Sequence, residues 1–265
     1  MSRRVSARAP SFGFVDRVCI RGRGVIPKCM KPGRPTACFM WEAHVILELD
    51  GSLPPAAPDT AAPMPEYKLI YFNARGHAEL VRWIFAYGDI PYTDDRFEME
   101  DWPDKKPTVP GGRVPVLLVD DRPLLQSLAI ARYAARQAAL VPEDSLEAAR
   151  CDALVDTTAE IQGEVYSKVF KLDKEKIEEI FKNDLTPKLI SPFLSSLEVD
   201  LEDQEWFVSG QVTWADLAIG LVVGGLKKFN EDLLSQYPAV EALVGRVLDL
   251  PNIKHWNDKQ SELNF

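Results

Sequence analysis

Residues 111–133, with the sequence GGRVPVLLVDDRPLLQSLAIARY, contain groups that could together hold a small peptide-like anion. Proline cannot donate to a strand ladder, so Pro115 either begins a strand as an ordinary trans residue or follows a cis bond that exposes the Val114 backbone. Gln126 and Ser127 then precede an apolar helical pattern. The free N–H groups and positive dipole end of that helix can bind a carboxylate, with the two side chains as additional partners. A plain helix cap fits the same pattern equally well.

The elements that would position these groups begin after Glu66, where the pattern of the chain changes. The predicted order is a strand over 67–72, a helix over 78–88, a strand over 91–98, a loop over 99–112, a hairpin about Asp120-Asp121 and a helix from Ser127. This compact α/β unit is too small for a doubly wound dinucleotide fold. Its order of strands and helices is that of a thioredoxin-like domain.

Beyond the connector at 141–145 the sequence is almost continuously helical. Helices are predicted over 145–168, 174–198, 213–229, 237–249 and from 252 onward. Thr213 and Asp216 form a capping pattern in front of the strongly apolar stretch LAIGLVVGGL, so this helix is expected to run through the middle of an all-α domain. Cys151, alone in its helical pattern, is expected to be a small core residue.

The overall composition excludes several classes of partner. The 265 residues are 46% hydrophobic and carry a net charge of -9, which disfavours binding to nucleic acid or to anionic lipid. No apolar run approaches the roughly 20 residues that a membrane-spanning helix needs. The cysteines lack zinc-ligand spacing, and nothing indicates a disulfide framework. The working part of the chain is therefore expected to be cytoplasmic.

Residues 1–63 differ from the remainder in composition. They carry nine Lys/Arg against five Asp/Glu, show no helical or strand period, and end in a proline-rich, linker-like stretch. We expect poor order there. An Arg-rich mitochondrial leader and translated sequence upstream of the true start both fit. The second interpretation is favoured because Met64 falls immediately before the first predicted strand.

Several ordered motifs resemble those of a known family. The strings MPEYKLIYFNARGHAELVRWIFAY, DWPDKKP, GGRVPVLLVDD, QSLAIARY and VTWADLAIG are similar to a sigma-class glutathione transferase, especially to the haematopoietic, glutathione-dependent prostaglandin D synthases. The resemblance covers residues 64–265 and leaves 1–63 unmatched. It implies a thioredoxin-like glutathione-binding domain over 64–141, an all-helical domain over 145–265, and a cis bond between Val114 and Pro115.

The resemblance also implies a catalytic residue. Tyr71, at the end of the first strand, matches the family's catalytic tyrosine, whose hydroxyl binds the glutathione sulfur. Trp102 and Lys106, in the loop that follows the second strand, match the residues that contact the glycine carboxylate end of the tripeptide. Glutathione is thus the expected co-substrate.

The stretch at 111–133 matches the part of the family that holds the remainder of the tripeptide. Arg113, Val114 and Pro115 correspond to the segment at the cysteinyl backbone, with Val114 acting through its main chain. Gln126 and Ser127 correspond to the residues that hold the γ-glutamyl carboxylate and amine. By resemblance, the anion that this stretch holds is glutathione.

The chain departs from the vertebrate synthases at two places near the sulfur. His77 stands where those proteins have an arginine, so either a cation near the sulfur or a simple solvated helix-start residue is possible there. No tryptophan occurs around Tyr166-Ser167 of the kind that walls the prostaglandin pocket. This second difference argues against carrying over the prostaglandin substrate.

A third departure concerns the carboxylate cluster with which the synthases bind magnesium or calcium across their dimer. Asp156 matches a family carboxylate, Ala159 has lost one, and Glu160 replaces an aspartate. We therefore predict no functional metal. Glu160 is predicted to reach the γ-glutamyl amine in the neighbouring subunit of a homodimer, and exposed helix charges are the alternative interpretation of both acids.

Two classes of function follow. The favoured one is a homodimeric detoxification enzyme that conjugates glutathione to a hydrophobic electrophile, with isomerisation of prostaglandin H2 to the D form as a narrower alternative. The other is a non-catalytic, crystallin-like binding or structural protein on the same scaffold. The presence of the whole glutathione set favours the enzyme.

Overall fold

The computed structural model describes residues 64–260. The predictions made for residues 1–63 lie outside the described residues. The first part of the described chain is a four-stranded mixed sheet with strand order β2-β1-β3-β4. The strands are β1 Tyr67–Phe72, β2 Thr93–Phe97, β3 Val116–Val119 and β4 Arg122–Leu125. The helices of this part are α1 Glu79–Tyr87, α2 Trp102–Lys105 and α3 Ser127–Gln137.

Strand β1 lies in the middle of the sheet, parallel to β2 and antiparallel to β3. Its side chains alternate between buried and half-buried positions, as the two-residue period of a strand requires. The hairpin between β3 and β4 turns at Asp120 and Asp121, whose φ angles of 47° and 62° match a tight primed turn. The predicted hairpin and the predicted thioredoxin-like order are both confirmed.

The second part consists of helices. They are α4 Ser145–Val169, α5 Lys174–Ile180, α6 Ser191–Leu201, α7 Trp214–Leu226, α8 Pro238–Asp249 and α9 Pro251–Lys259. A wide π-helical segment, Phe181–Ile190, joins α5 to α6 without a break. It contains Pro187, which has no N–H to donate and therefore favours a departure from the regular helical ladder. The α/β domain followed by an all-α domain is the predicted fold class.

Helix α7 passes through the core of the helical part. Asp216 accepts hydrogen bonds from the Thr213 N–H at 2.7 Å and from the Thr213 hydroxyl at 2.8 Å, which is the capping arrangement predicted for this helix. At Gly220 an added Cβ would lie 2.6 Å from a Val247 methyl group, so α7 and α8 approach closely there. Cys151 is fully buried, as predicted. Among the described residues, none of the helices is both long and apolar enough to cross a membrane.

Candidate active site

The hydroxyl of Tyr71 lies beneath a tight loop, residues 73–77, which joins β1 to the first helical turn. Tyr71 is 7% exposed, and its Oη accepts a hydrogen bond from the His77 N–H at 3.2 Å. Gly76 has a φ of +43°, and an added Cβ there would lie 2.5 Å from Tyr71 Oη. The backbone of the loop therefore packs directly against the hydroxyl, which only glycine at position 76 permits.

The surroundings of Tyr71 keep its hydroxyl protonated at neutral pH. Burial raises its pKa above the ordinary value of 10.0, while the His77 N–H and the Arg82 guanidinium oppose this rise. Arg82 is fully buried, and its guanidinium carbon lies 5.9 Å from the centroid of the Tyr71 ring. The hydroxyl accepts one N–H and retains its own proton, so it can act as a hydrogen-bond donor to an anion.

His77 does not supply a fixed cation near this hydroxyl. Its ring keeps an exposed edge but packs against the Tyr166 ring of α4, with centroids 5.7 Å apart. Desolvation lowers the pKa of His77 below its ordinary value of 6.5, which favours the neutral ring. The cation that contacts the Tyr71 ring is instead Arg82, a residue to which sequence reasoning assigned no role.

A cavity of about 260 Å³ opens beside the loop, between the sheet domain and the helices. Gly76 and His77 form one side of it, and Gln126 and Ser127 form another. The remaining walls come mainly from α4 and α7, with Leu80 of α1 and Leu128 of α3, and are largely apolar. Representative wall residues are Val155, Thr158, Gln162, Ala218, Leu221 and Val222. A polar edge and an apolar interior are combined in one cavity, as is common for small-molecule sites.

Gln126 and Ser127 reach this cavity because of the backbone at the start of α3. Gln126 has φ 75° and ψ 117°, an uncommon conformation for a residue other than glycine. Ser127 is the first residue of the helix, so its N–H belongs to the unsatisfied first turn. The structure thus brings both predicted residues together with Gly76 and His77 around one cavity, although they are about 50 positions apart in the sequence.

Trp102 and Lys106 lie beyond the lining of this cavity. Trp102 begins α2 and is half-buried, with its ring stacked on Phe97 at a centroid distance of 5.9 Å. Lys106 follows the helix and is exposed, with its Cγ and Cε atoms each 3.9 Å from the position of a Cβ added at Gly112. The two residues are therefore held by the loop 102–112, at the surface of the sheet domain.

Arg113, Val114 and Pro115 also lie outside the lining of the cavity, directly before β3. Arg113 is exposed, Val114 is half-buried and Pro115 is buried. The Val114-Pro115 peptide bond is cis, as predicted. This segment enters β3 opposite the last residues of the central strand β1, which include Tyr71, so the predicted residues lie around the same end of the sheet.

The carboxylates on α4 do not fit a metal site. Asp156 lies 3.6 Å from Arg132, Ala159 offers no ligand, and Glu160 is exposed. Within residues 64–260, no group of three or more His, Cys, Asp and Glu side chains could hold a metal ion. Ala159 instead lines the cavity together with Gly76 and His77.

Sequence reasoning missed a buried ionic cluster beneath the 73–77 loop. Glu79 and Arg82, on the buried face of α1, are 1% and 0% exposed, and their side chains lie 3.3 Å apart. The chain spacing of three residues places both on one helix face. Two charged residues on a face that otherwise packs into the core are unusual, and this is the signal that could have identified them.

Comparisons with known proteins agree with this arrangement. Residues 67–136 match the family model "Glutathione S-transferase, N-terminal domain", and residues 155–260 match "Glutathione S-transferase, C-terminal domain". The matches cover the sheet domain with Tyr71, Gln126 and Ser127, and most of the helical domain.

Individual proteins with similar sequences agree with these domain matches. The chain is 42% identical to hematopoietic prostaglandin D synthase of Rattus norvegicus, over 73% of this chain and 96% of that protein. It is 34% identical to a glutathione S-transferase of Anopheles gambiae, over 74% of this chain and 98% of that protein.

Solved structures are also similar. The structure of rat hPGDS complexed with a quinoline has a TM-score of 0.67 and 41% identity, and covers 74% of this chain and 97% of its own. The glutathione S-transferase from Ascaris lumbricoides has a TM-score of 0.65 and 34% identity, with coverage of 74% and 97%. From the two matched domains and these relatives, we conclude that the chain belongs to the glutathione S-transferase family.

Proposed function

We propose that the protein conjugates glutathione to hydrophobic electrophiles and that Tyr71 is its catalytic residue. The observation that carries this proposal is the Tyr71 hydroxyl, which is protonated, accepts the His77 N–H, and lies at the loop that walls the cavity. The hydroxyl can donate its hydrogen bond to a sulfur placed at this edge. The family membership supports the same chemistry.

The reaction requires stabilisation of a thiolate. A free thiol has a pKa of about 8.5, so only a few per cent of it is ionised at pH 7. Lowering that pKa by about two units requires about 2.7 kcal/mol in favour of the anion. A hydrogen bond to a charged acceptor contributes about 1.5–3 kcal/mol, so the Tyr71 hydroxyl can supply most of this difference. The thiol proton passes to solvent, the sulfur attacks the electrophilic carbon, and the leaving group departs with its electron pair.

We propose that glutathione lies across the edge of the sheet. Gln126 and Ser127, at the positive end of α3, bind the γ-glutamyl group. The Val114 backbone beside Pro115 and Arg113 holds the cysteinyl part, and Trp102 and Lys106 contact the glycine carboxylate. The electrophile then occupies the apolar part of the cavity between α4 and α7, where Leu221, Val222 and Val155 exclude water from the sulfur.

The class, cellular role, location and oligomeric state of the enzyme are also proposals. We propose a sigma-class enzyme with a detoxification role in the cytoplasm, acting as a homodimer in which Glu160 reaches the γ-glutamyl amine of the partner. Glu160 supports this because it is exposed on α4. We further propose a division of the chain into an N-terminal extension over 1–63, a glutathione-binding domain over 64–141 and a helical domain over 145–265.

The experiment that tests the proposal is conjugation of glutathione to an aromatic halide. Tyr71→Phe should lower kcat/KM at pH 7 by up to about 25-fold, because a rise of the thiol pKa from about 6.5 to about 8.5 lowers the thiolate fraction at that pH from about 76% to about 3%. Glutathione binding, measured by calorimetry, should persist. Tyr87→Phe, which alters a half-buried tyrosine at the other end of α1, is the matched control and should behave as the unaltered protein.

The same experiment separates the alternatives. Glutathione binding without turnover of any electrophile would favour a non-catalytic, crystallin-like protein. Turnover that is unchanged in Tyr71→Phe would contradict the role of the tyrosine. Comparison of the full chain with a chain that begins at Met64 tests whether residues 1–63 contribute to activity, and we expect equal rates.

A second candidate function is isomerisation of prostaglandin H2. The relatives named hematopoietic prostaglandin D synthase, such as the rat protein at 42% identity, favour it. The positions around Tyr166-Ser167, which carry no tryptophan, argue against it. Incubation with the endoperoxide and glutathione, followed by product analysis, distinguishes an isomerase from a general transferase.

A further inference from the structure

Helix α9, the last element of the described chain, lies along α1 and contacts both of its ends. At one end, the Asn252 side chain donates to the Tyr87 carbonyl oxygen at 3.3 Å. At the other end, the Trp256 Nε1–H donates to Glu79 Oε1 at 2.9 Å. Between them Ile253 is fully buried. The second contact brings α9 directly beneath the loop that covers Tyr71.

Glu79 is the centre of a buried cluster that joins α9 to the 73–77 loop. Besides Trp256, its carboxylate accepts hydrogen bonds from Arg75 Nε and from Arg82 Nη1, both at 3.3 Å. Arg75, which belongs to the loop, also donates through Nη2 to Asn257 Oδ1 on α9 at 2.6 Å. Trp256 and Asn257, neighbours on α9, therefore both engage this cluster.

Arg82 holds the backbone of the same loop from below. Its Nη1 donates to the Ala74 carbonyl oxygen at 2.6 Å and to the Arg75 carbonyl oxygen at 3.5 Å, and its Nη2 donates to the Phe72 carbonyl oxygen at 3.4 Å. Arg82 thus holds the loop through its backbone carbonyl groups, and the Arg75 side chain ties the loop to Glu79 and Asn257. It ends at His77, whose N–H meets the Tyr71 hydroxyl.

We propose that Trp256 and Asn257 are positioning residues for Tyr71: through Glu79 and Arg75 they hold the 73–77 loop so that the His77 N–H meets the Tyr71 hydroxyl. The inference rests on the proposed function, because it concerns the orientation of the proposed catalytic group. When the Tyr71 oxygen accepts the His77 N–H, the proton of the Tyr71 hydroxyl points elsewhere and is available to the glutathione sulfur. The accepted hydrogen bond also polarises the hydroxyl and strengthens its donation.

Trp256→Phe is the direct test, because it removes the Nε1–H and keeps an aromatic ring. Ionisable groups surround Tyr71 on α1, on the loop and on α4, namely Glu79, Arg82, Arg75, His77 and Tyr166. The substitution removes none of them, so a changed pH profile would report a changed geometry. Asn257→Ala, which removes the acceptor for Arg75, is the second variant and should act in the same direction.

The measurement is the pH dependence of kcat/KM for conjugation of an aromatic halide by the full chain. In Trp256→Phe the ascending limb should move to higher pH, so that kcat/KM falls about threefold to tenfold near pH 6.5 and recovers above about pH 9. KM for glutathione should change less than about twofold, since the groups that bind the tripeptide are elsewhere. Trp206→Phe, at a half-buried tryptophan that contacts Arg246, is the matched control and should keep the original profile.

The outcomes are separable. If Trp256→Phe and Asn257→Ala lower the melting temperature but leave the pH profile unchanged, their role is only structural and the inference is overturned. If the unaltered protein shows no turnover that depends on Tyr71, the proposed function fails and the inference fails with it. A shifted profile in both variants, with an unshifted control, supports the inference.

Discussion

At the residue scale, the proposed site centres on a neutral phenol rather than on a cation. The Tyr71 hydroxyl is covered by the loop at Gly76, accepts the His77 N–H, and has the buried Arg82 beside its ring. At His77, one of two expectations was a cation near the sulfur, but desolvation lowers the pKa of the ring and favours its neutral form. Stabilisation of an anion at this edge is therefore expected to come from hydrogen bonding and from the helix dipole of α3.

The pH dependence of activity tests this view of Tyr71. Because burial raises the pKa of the hydroxyl above 10.0, the group stays protonated throughout the neutral range. We expect kcat/KM to rise with pH through a single transition, due to the glutathione thiol, and then to stay level up to about pH 9.5. A fall in kcat/KM below that pH, absent from Tyr71→Phe, would mean that the phenol ionises early and would contradict this assignment.

Part of the site could be predicted from the sequence because its residues occur in ordered local strings. Gln126 and Ser127 were predicted from the start of an apolar helical pattern, and both line the cavity. Glu79 and Trp256 were not predicted, because they are 177 positions apart and meet only after α9 has packed on α1. Hydrogen bonds between distant side chains leave no local pattern in a sequence.

At the element scale, the start of α7 is fixed by several hydrogen bonds to one buried side chain. The Asp216 carboxylate accepts three hydrogen bonds, two from Thr213 and one from the Phe207 N–H at 3.0 Å. All three donors are buried with it. The cap therefore fixes both the beginning of α7 and the chain segment that passes over it.

Asp216→Asn should lower the free energy of unfolding by about 2–4 kcal/mol, because an amide has one acceptor oxygen and leaves at least one buried donor unsatisfied. Urea denaturation followed by circular dichroism measures this change. Thr213→Ser keeps the hydroxyl and the backbone donor, so this control should lose less than about 1 kcal/mol. If Asp216→Asn lost no more stability than this control, the cap would contribute little.

The helical segment after α5 shows where an element could be predicted only in outline. Helical sequence was predicted over 174–198, and the structure has helix from Lys174 to Leu201. The π-helical width around Pro187 was not predicted. It arises because the surrounding residues Phe181, Leu185 and Ile190 are buried and keep the segment helical although proline removes a donor. Tertiary packing decides whether such a segment stays helical, and the pattern of a single sequence carries no information about that packing.

At the scale of the whole molecule, the cavity beside Tyr71 exists only because two domains meet. Gly76 and Ser127 belong to the sheet domain, whereas Val155 and Leu221 belong to the helical domain. The order of domains could be predicted from the change of hydrophobic period near residue 141. Which faces of α4 and α7 would turn toward the loop could not, since α7 is apolar over nearly its whole length and the residues of α4 that line the cavity are a mixture of apolar and polar ones.

The proposed dimer makes a further prediction at this scale. If Glu160 completes the neighbouring site, Glu160→Gln should raise KM for glutathione about threefold to tenfold while kcat stays nearly constant, since the lost contact binds the tripeptide and not the transition state alone. Glu164→Gln, one turn further along α4 and also exposed, is the matched control. Light scattering should give a mass of two chains, and a monomeric mass would contradict the proposal.

The burial of Cys151 has a consequence for a protein that handles alkylating agents. Its thiol is inaccessible in the helical core, and burial also raises its pKa, so the reactive thiolate form is suppressed. Within residues 64–260 it is the single cysteine. This part of the chain therefore presents no exposed thiol that could compete with glutathione for an electrophile.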